Sequence, residues 1–241
     1  MKSILITGGS RGIGRAAAIL AAERGWNVAI TYVGNEGAAR NTAEDVGAKG
    51  AKALCIQGDV GSEADVIRAF QTALKEFGSL EGVVIKAGIV APAMPLRVMS
   101  VDRLEKMFNT NVLGAYLCAR EAVRCMKGGS IVSVSSLAAK TGSPGEYVDY
   151  AGSKAAMDAL TIGLAKEAGP LGIRVNAIRP AFIDTEIHAM SGNPQRAHAL
   201  GAQTPLGRAG TAEEVAEAIV WLLSDASSYV SGALIDMAGG R

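Results

Sequence analysis

Tyr150 and Lys154 stand four positions apart in the run Tyr150-Ala-Gly-Ser-Lys154. On a helix that spacing puts a phenol and an ammonium on one face, one turn apart. A tyrosine hydroxyl titrates near pH ~10 and is a poor proton donor at neutrality. A nearby cation favours the phenolate and draws the value towards the operating range, where proton transfer is most effective. The pair is therefore a candidate acid/base unit, provided that it lies in a cleft. Taken alone, Tyr-x-x-x-Lys suits an ordinary solvated helix face better, so the case rests on the rest of the chain.

A second chemical feature opens the sequence. Ile4-Leu-Ile-Thr7 reads as a short buried strand, Thr7-Gly-Gly-Ser-Arg-Gly-Ile-Gly14 as a glycine-rich turn, and Arg15 to Arg24 as a helix. A strand, a glycine turn and a helix N-terminus form an anion site, because backbone N–H groups and the helix dipole point at a phosphate that glycine lets approach. A turn that only packs helix on sheet would look similar. The next strand, Asn27 to Tyr32, ends in Thr31-Tyr32-Val33-Gly34, without the carboxylate that would bind a ribose 2′-hydroxyl. Glu36, the first acid, falls in the following helix. With Arg11 in the glycine turn able to pair with a 2′-phosphate, the pattern favours NADP(H) over NAD(H).

Further elements alternate. A helix over 35–47, a strand over 51–57 ending in Gly58-Asp59-Val60, and a helix opened by Ser62-Glu-Ala-Asp65 lead to a strand at Gly82 to Ile85. Ser100 caps a helix running to about Asn111. Strands follow at Ser130 to Val134, Ile173 to Ile178 and Ala233 to Ile235, and Thr211-Ala-Glu-Glu214 opens the last helix as a capping box. Residues 181–210 are weakly periodic, and a loop of that length is read as a lid or binding loop, centred on 184–210. With no linker, repeat or low-complexity tract, the reading is one α/β domain over 1–241: a Rossmann-type doubly wound parallel sheet of about seven strands with helices on both faces. The ligand belongs outside the carboxyl ends of the strands, where the glycine turn, Asp59, Lys86 to Gly88, Ser135-Ser136 and Pro180 meet.

Composition removes several function classes. The chain has 241 residues, 49% hydrophobic, and a formal net charge of +1, which gives no nucleic-acid surface and no polybasic membrane patch. Its 3 cysteines and 2 histidines fit neither a disulfide framework nor a metal site. No signal peptide precedes the first strand and no apolar run approaches the ~20 residues of a membrane span, so a cytoplasmic protein is expected. Asn111 to Met126 and the helix after Tyr150 are apolar nearly all round. A helix flanking a sheet buries one face, so these two are expected to bury the other against a second subunit, in a homodimer or homotetramer.

Together these residues resemble the short-chain dehydrogenase/reductase family. The glycine motif Thr7 to Gly14, Asp59-Val60, Asn111, Ser136, Tyr150-x-x-x-Lys154 and Pro180 to Thr185 occur in the family's order, and the resemblance spans essentially the whole chain. It implies a catalytic tetrad. Tyr150 exchanges the proton with the substrate oxygen, Lys154 lowers the Tyr150 pKa and holds the nicotinamide ribose, Ser136 hydrogen-bonds the carbonyl, and Asn111 holds a water linking Lys154 to solvent. It implies a cofactor site of Gly8, Ser10, Arg11, Gly12, Ile13, Gly14, Asp59, Val60, Ala87, Gly88, Pro180, Ile183 and Thr185, with Tyr150 and Lys154. Asp59 would meet adenine and Thr185 the carboxamide. Hydride passes between NADP(H) and a ketone or secondary alcohol, and fixed donors act where charge grows on oxygen. Members acting on 3-oxoacyl carrier-protein substrates and on sugars both fit.

Three residues depart from the family pattern. Lys86 stands in Ile85-Lys86-Ala87-Gly88 where the family has an asparagine, replacing an amide by a donor-only cation. A second cation there would lower the pKa of Lys154 and Tyr150 and impair or shift activity with pH. Ser136 precedes Tyr150 by one residue more than is usual, which leaves Ser135 as a fallback donor. Ala181 replaces the glycine after Pro180, where its methyl would crowd the nicotinamide. The pocket walls are expected from Val90 to Met94, Ala138, Tyr147, Phe182 and the 184–210 loop, with no arginine cluster at the mouth and His188 as a solvated loop residue. Two rival readings remain open: a cofactor-bound sensor that has lost turnover, and an epimerase or lyase that uses the cofactor transiently.

Overall fold

The structure is a computed structural model, and it describes residues 1–186 and 195–241. His188 lies outside the described residues. The strands are β1 (Ser3–Ile6), β2 (Asn27–Tyr32), β3 (Ala53–Gln57), β4 (Gly82–Ile85), β5 (Gly129–Val134), β6 (Ile173–Pro180), β7 (Ile183–Asp184), β8 (Gly210–Thr211) and β9 (Leu234–Met237). The α-helices are α1 (Gly12–Glu23), α2 (Glu36–Ala48), α3 (Glu63–Phe77), α4 (Val101–Phe108), α5 (Gly114–Cys125), α6 (Ala138–Thr141), α7 (Val148–Ala168), α8 (Arg196–Gly201) and α9 (Ala212–Leu223).

Seven strands form one parallel sheet in the order β3-β2-β1-β4-β5-β6-β9. Period-two alternation divides the core. Ile4 and Ile6 face α1 and α9, whereas Leu5 between them faces α3, α5 and α7. Because both sheet faces are covered, strands such as Ile4-Leu5-Ile6 are apolar at every position, as parallel strands require. The strand order reverses between β1 and β4, and Thr7 fastens that switch point. Its hydroxyl oxygen accepts from Lys86 N at 3.0 Å and Ala87 N at 3.1 Å, which holds the turn after β4 against the glycine turn after β1.

Two expectations change. The helix predicted to end near Asn111 continues through it: α4 passes into a π-helical turn at Asn109–Leu113 and then into α5. One extra residue in the turn lets Gly114 sit against Val60, where a Cβ would lie 2.8 Å from the valine methyl. The 181–210 stretch is not one loop. It contains β7, which pairs in parallel with β8, and the short helix α8.

The two helices read as apolar on all sides bury one face each. The other faces lie open in the single chain, with Leu113, Tyr116 and Ile162 exposed and Gly152, Ala155, Ala159 and Gly163 forming a stripe of small exposed residues along α7.

Candidate active site

The carboxyl edge of the sheet holds a cavity of about 470 Å³. That volume suits a small ligand. Ile13, Lys86, Gly88, Ser136, Tyr150, Lys154, Pro180, Ile183 and Thr185 all reach it, although they come from every part of the chain.

The glycine turn forms one end. Gly8 and Gly12 have φ of +68° and +52°, in the left-handed region open to glycine. A Cβ on Gly14 would stand 2.4 Å from the Gly8 carbonyl oxygen, so only hydrogen lets α1 close on the turn. The first turn of α1 carries no acid and its N-cap, Arg11, makes no side-chain cap bond, while the Glu186 carboxylate comes up to Gly12, where a Cβ would lie 3.5 Å from its Oε2. The helix starts at Gly12, three residues before the sequence reading, so the amides of Ile13 and Gly14 belong to its first turn. The end of β2 has no carboxylate. Asn35 caps α2 by accepting from Ala38 N, and Glu36 is tied to Arg40. These features fit a dinucleotide phosphate cradle.

Tyr150 and Lys154 come from the first two turns of α7. A buried ion pair anchors that end of the helix: the Arg103 guanidinium meets Asp149 through Nε at 2.8 Å and Nη2 at 3.2 Å and also donates to Pro92 O. The Tyr150 phenol and Ser136 line the same cavity, and the Ser136 hydroxyl favours the phenolate; Ser136 Oγ itself accepts from Ala138 N at 3.2 Å and lies 3.5 Å from Pro180 O. Ser135 turns the other way and donates to the Lys154 carbonyl at 3.1 Å, inside the protein. Ser136, not Ser135, is thus the serine that faces the phenol, and the residues 142–147 between α6 and α7 form a turn. Lys154 is buried, donates to Val134 O at 2.8 Å, and stands 5.7 Å from the Tyr150 ring centroid.

The proton affinities differ from the sequence expectation. Burial pushes the Tyr150 phenol up, and the neighbouring Ser136 hydroxyl only partly offsets it. Lys154 is pulled down to about 7, first by burial and then by the Lys86 charge, against an upward pull from Asp158. Lys86 is itself lowered to about 8, by burial and by Arg11, with Glu186 opposing. The departure at Lys86 therefore places a second ammonium beside the first.

The other expected site residues are held in different ways. Asn111 is fully buried, and its amide donates to Ile89 O at 2.9 Å and Ser153 Oγ at 3.1 Å and accepts from Ile89 N at 2.8 Å. The side chain is spent on holding the loop after β4 to α7. Asp59 is exposed and accepts from Gly61 N, closing its own turn. Val60 is a core residue at 7% exposure, so only its backbone lies at the sheet edge. Ala87 and Gly88 follow β4 at the switch point, and a Cβ on Gly88 would meet Asn111 Oδ1 at 3.1 Å. Ala181 lines the cavity as expected, with its amide bonded to Met237 O.

The mouth corrects one expectation. Two arginines line it, Arg196 from α8 and Arg241 after β9, with Glu146. Arg196 bonds both oxygens of Glu146, one at 3.1 Å, and sits 5.1 Å from the Tyr147 centroid. Sequence spacing hid this, because the pair is 50 residues apart. His198 pairs with Asp184 away from the chemistry.

A protein-family model described as Enoyl-(Acyl carrier protein) reductase matches residues 8–241. An Escherichia coli (strain K12) protein described as uncharacterized oxidoreductase YgfF is 47% identical over 247 residues, covering 100% of both chains. The L-rhamnose 1-dehydrogenase (NAD(P)(+)) of Sphingomonas sp. (strain SKA58) is 39% identical, over 99% of this chain and 95% of that one. Among solved structures, a short chain dehydrogenase of Burkholderia cenocepacia J2315 in complex with NADP superposes with a TM-score of 0.93 at 32% identity, covering 99% of this chain and 97% of the other.

Proposed function

Because the chain belongs to the short-chain dehydrogenase/reductase family, oxidoreductases that act on CH–OH groups with NAD(P), we propose that it is an NADP(H)-dependent reductase of a ketone, or dehydrogenase of the matching secondary alcohol, with Tyr150 as its acid/base. The observation that carries this reading is that Ser136, Tyr150 and Lys154 line one cavity that also reaches Ile13 of the glycine turn. When bound, the dinucleotide supplies or takes the hydride. Gly8, Ser10, Arg11, Gly12, Ile13 and Gly14 would hold its phosphates. Asp59, Val60, Ala87, Gly88, Pro180, Ile183 and Thr185 would border the rest.

The chain's own residues do the remaining work. Ser136 donates to the substrate oxygen and fixes it beside Tyr150. Tyr150 gives its proton to that oxygen as negative charge grows there, so a phenol that burial keeps protonated starts in the state reduction needs. Lys154 and Asn111 set the geometry of α7 and the loop after β4. NADP(H) is favoured by the acid-free end of β2 and by Arg11. Thr185 and α8, through Arg196 and Leu200, border the substrate side. The open faces of α5 and α7 serve self-association as a dimer or tetramer. A cytoplasmic setting fits cysteines that are all unpaired, and among the described residues no helix is long and apolar enough to cross a membrane.

The test is a ketone and alcohol panel with NADPH and NADH side by side. NADPH oxidation with some ketones is expected, and Tyr150→Phe is expected to lower kcat by about 10²-fold or more while NADPH binding persists. Tight NADPH binding without turnover of any carbonyl would instead establish a sensor, the reading that Lys86 beside Lys154 favours. Product formed without net cofactor change would establish an epimerase or lyase.

A further inference from the structure

Five charged side chains line the cavity: Lys86, Glu146, Lys154, Arg196 and Arg241. Glu146 is the one acid among the described lining residues, and Arg196 occupies both of its oxygens. That pair is neutral as a unit. Lys86 and Lys154 lie at the inner end, beside Tyr150 and the turn after β4. At the outer end Arg241 stands apart. Its guanidinium lies 4.8 Å from the Phe182 ring centroid. Among the described residues no side-chain carboxylate forms a salt bridge with it.

The position is built. Gly239 and Gly240 hold φ of +62° and +89°, in the left-handed region. They lie so close to Thr204 and Pro205 that a Cβ on either would meet a side-chain atom at 3.0 Å. Leu206 N donates to Gly239 O at 3.1 Å, and Arg241 N donates to Ala238 O. The chain is thus fastened across 204–206 and delivers Arg241 over Phe182, two residues beyond Pro180 at the end of β6. A planar cation with five donors at the mouth of a cavity, stacked on an aromatic wall, is suited to bidentate capture of a carboxylate or phosphate.

We propose that Arg241 selects substrates that carry an anionic group, a carboxylate or a phosphate ester, at the end remote from the reacting carbon–oxygen bond. The inference rests on the reductase reading above and deepens it. Ser136 and Tyr150 hold the reacting oxygen at the floor, and Arg241 holds the anion at the rim, so the two ends of the substrate are fixed by different elements. The positive lining also steers such substrates inwards, an effect that weakens as salt is added.

The test uses matched pairs with NADPH and the full chain: 4-oxopentanoate, 5-oxohexanoate and 7-oxooctanoate against their methyl esters, and glucose 6-phosphate against glucose with NADP⁺. The parent is expected to show a kcat/KM about tenfold or more higher for the anionic member of at least one class. Arg241→Ala should collapse that ratio towards one, mainly through KM, and Arg241→Lys should keep part of it. Preference for the keto acids or for the sugar phosphate identifies which anion the rim takes. If the parent turns over neutral members as well as anionic ones, or if Arg241→Ala lowers both members of a pair equally, this inference fails and the reductase reading stands. If no member of any pair, and no ketone of the wider panel, is turned over, the reductase reading falls and takes this one with it.

Discussion

Replacing Lys86 by the family's asparagine removes one of two ammonium groups that share the cavity. Lys154 is held at about 7, compared with 10.5 for a free lysine, with burial as the larger cause and the Lys86 charge as the next. At an effective dielectric of about 20, two like charges repel by about 2 kcal/mol when roughly 8 Å apart. At about 1.36 kcal/mol per pH unit a repulsion of that size corresponds to roughly 1.5 units. Lys86 is itself only partly charged at and above its own value of about 8, so a rise of about one unit in the Lys154 pKa is expected. The sign is fixed: losing a neighbouring cation makes the protonated form cheaper. A charged Lys154 in turn favours the Tyr150 phenolate, so the phenol should move down as the lysine moves up. The measurement is kcat/KM for a ketone with NADPH from pH 5.5 to 10, which reports the free enzyme's ionisations. The limb on which Lys154 loses its proton should move about one unit towards alkali in Lys86→Asn, and Lys86→Met should match it because it removes the same charge. Superimposable profiles, or a move towards acid, would refute the argument that Lys86 acts on this site by charge.

Asp158 provides the opposite control. It lies one turn beyond Lys154 on α7, places Oδ2 on Arg179 at 2.9 Å, leaves Oδ1 buried without a hydrogen-bond partner, and favours the charged form of Lys154. Asp158→Asn should therefore shift the same limb towards acid, and a shift in the Lys86→Asn direction would contradict this. Breaking the buried pair with Arg103→Ala strands Asp149 and frees Pro92 O, so unfolding free energy should fall by about 3–5 kcal/mol in a denaturant titration. A loss below about 1 kcal/mol would mean that the pair behaves like a surface contact. Ala159→Arg places a charge in the exposed stripe of α7 beside Ile162, and sedimentation should change from an oligomer to a monomer. A parent already monomeric at micromolar concentration would end the self-association proposal.

What could be read from the sequence was local. The β1–turn–α1 unit is legible because the glycines, the strand and the helix lie within one short run, and Gly14 against the Gly8 carbonyl leaves no other residue possible. The sheet is legible because strands buried on both faces are uniformly apolar and helices are periodic. Tyr150, Lys154 and Ser136 were found through motif order, and the structure brings them together at one cavity. The π turn at Asn109–Leu113 was missed because no residue type announces it, and its close neighbour Val60 lies far away in the chain. Arg196 with Glu146, Arg179 with Asp158, and Arg241 over Phe182 were missed for the same reason: nothing near either partner announces the other.

The Tyr150–Lys154 pair shows where a local rule ends. Spacing of four residues establishes that an ammonium lies near a phenol, and in water that cation would acidify it. Here the fold removes solvent from both groups, and desolvation opposes charge on each of them, raising the phenol and lowering the ammonium. A lysine held at about 7 by burial and then by the Lys86 charge is charged only about half the time at neutral pH, so its help to the phenolate is weakened. The walls that exclude water come from β5, β6 and the loop after β4, none of which the motif contains. The proton affinity of this site is therefore set by the tertiary structure around the pair, which is why substitutions at Lys86 and Asp158, outside the four-residue motif, are the ones expected to move it in opposite directions.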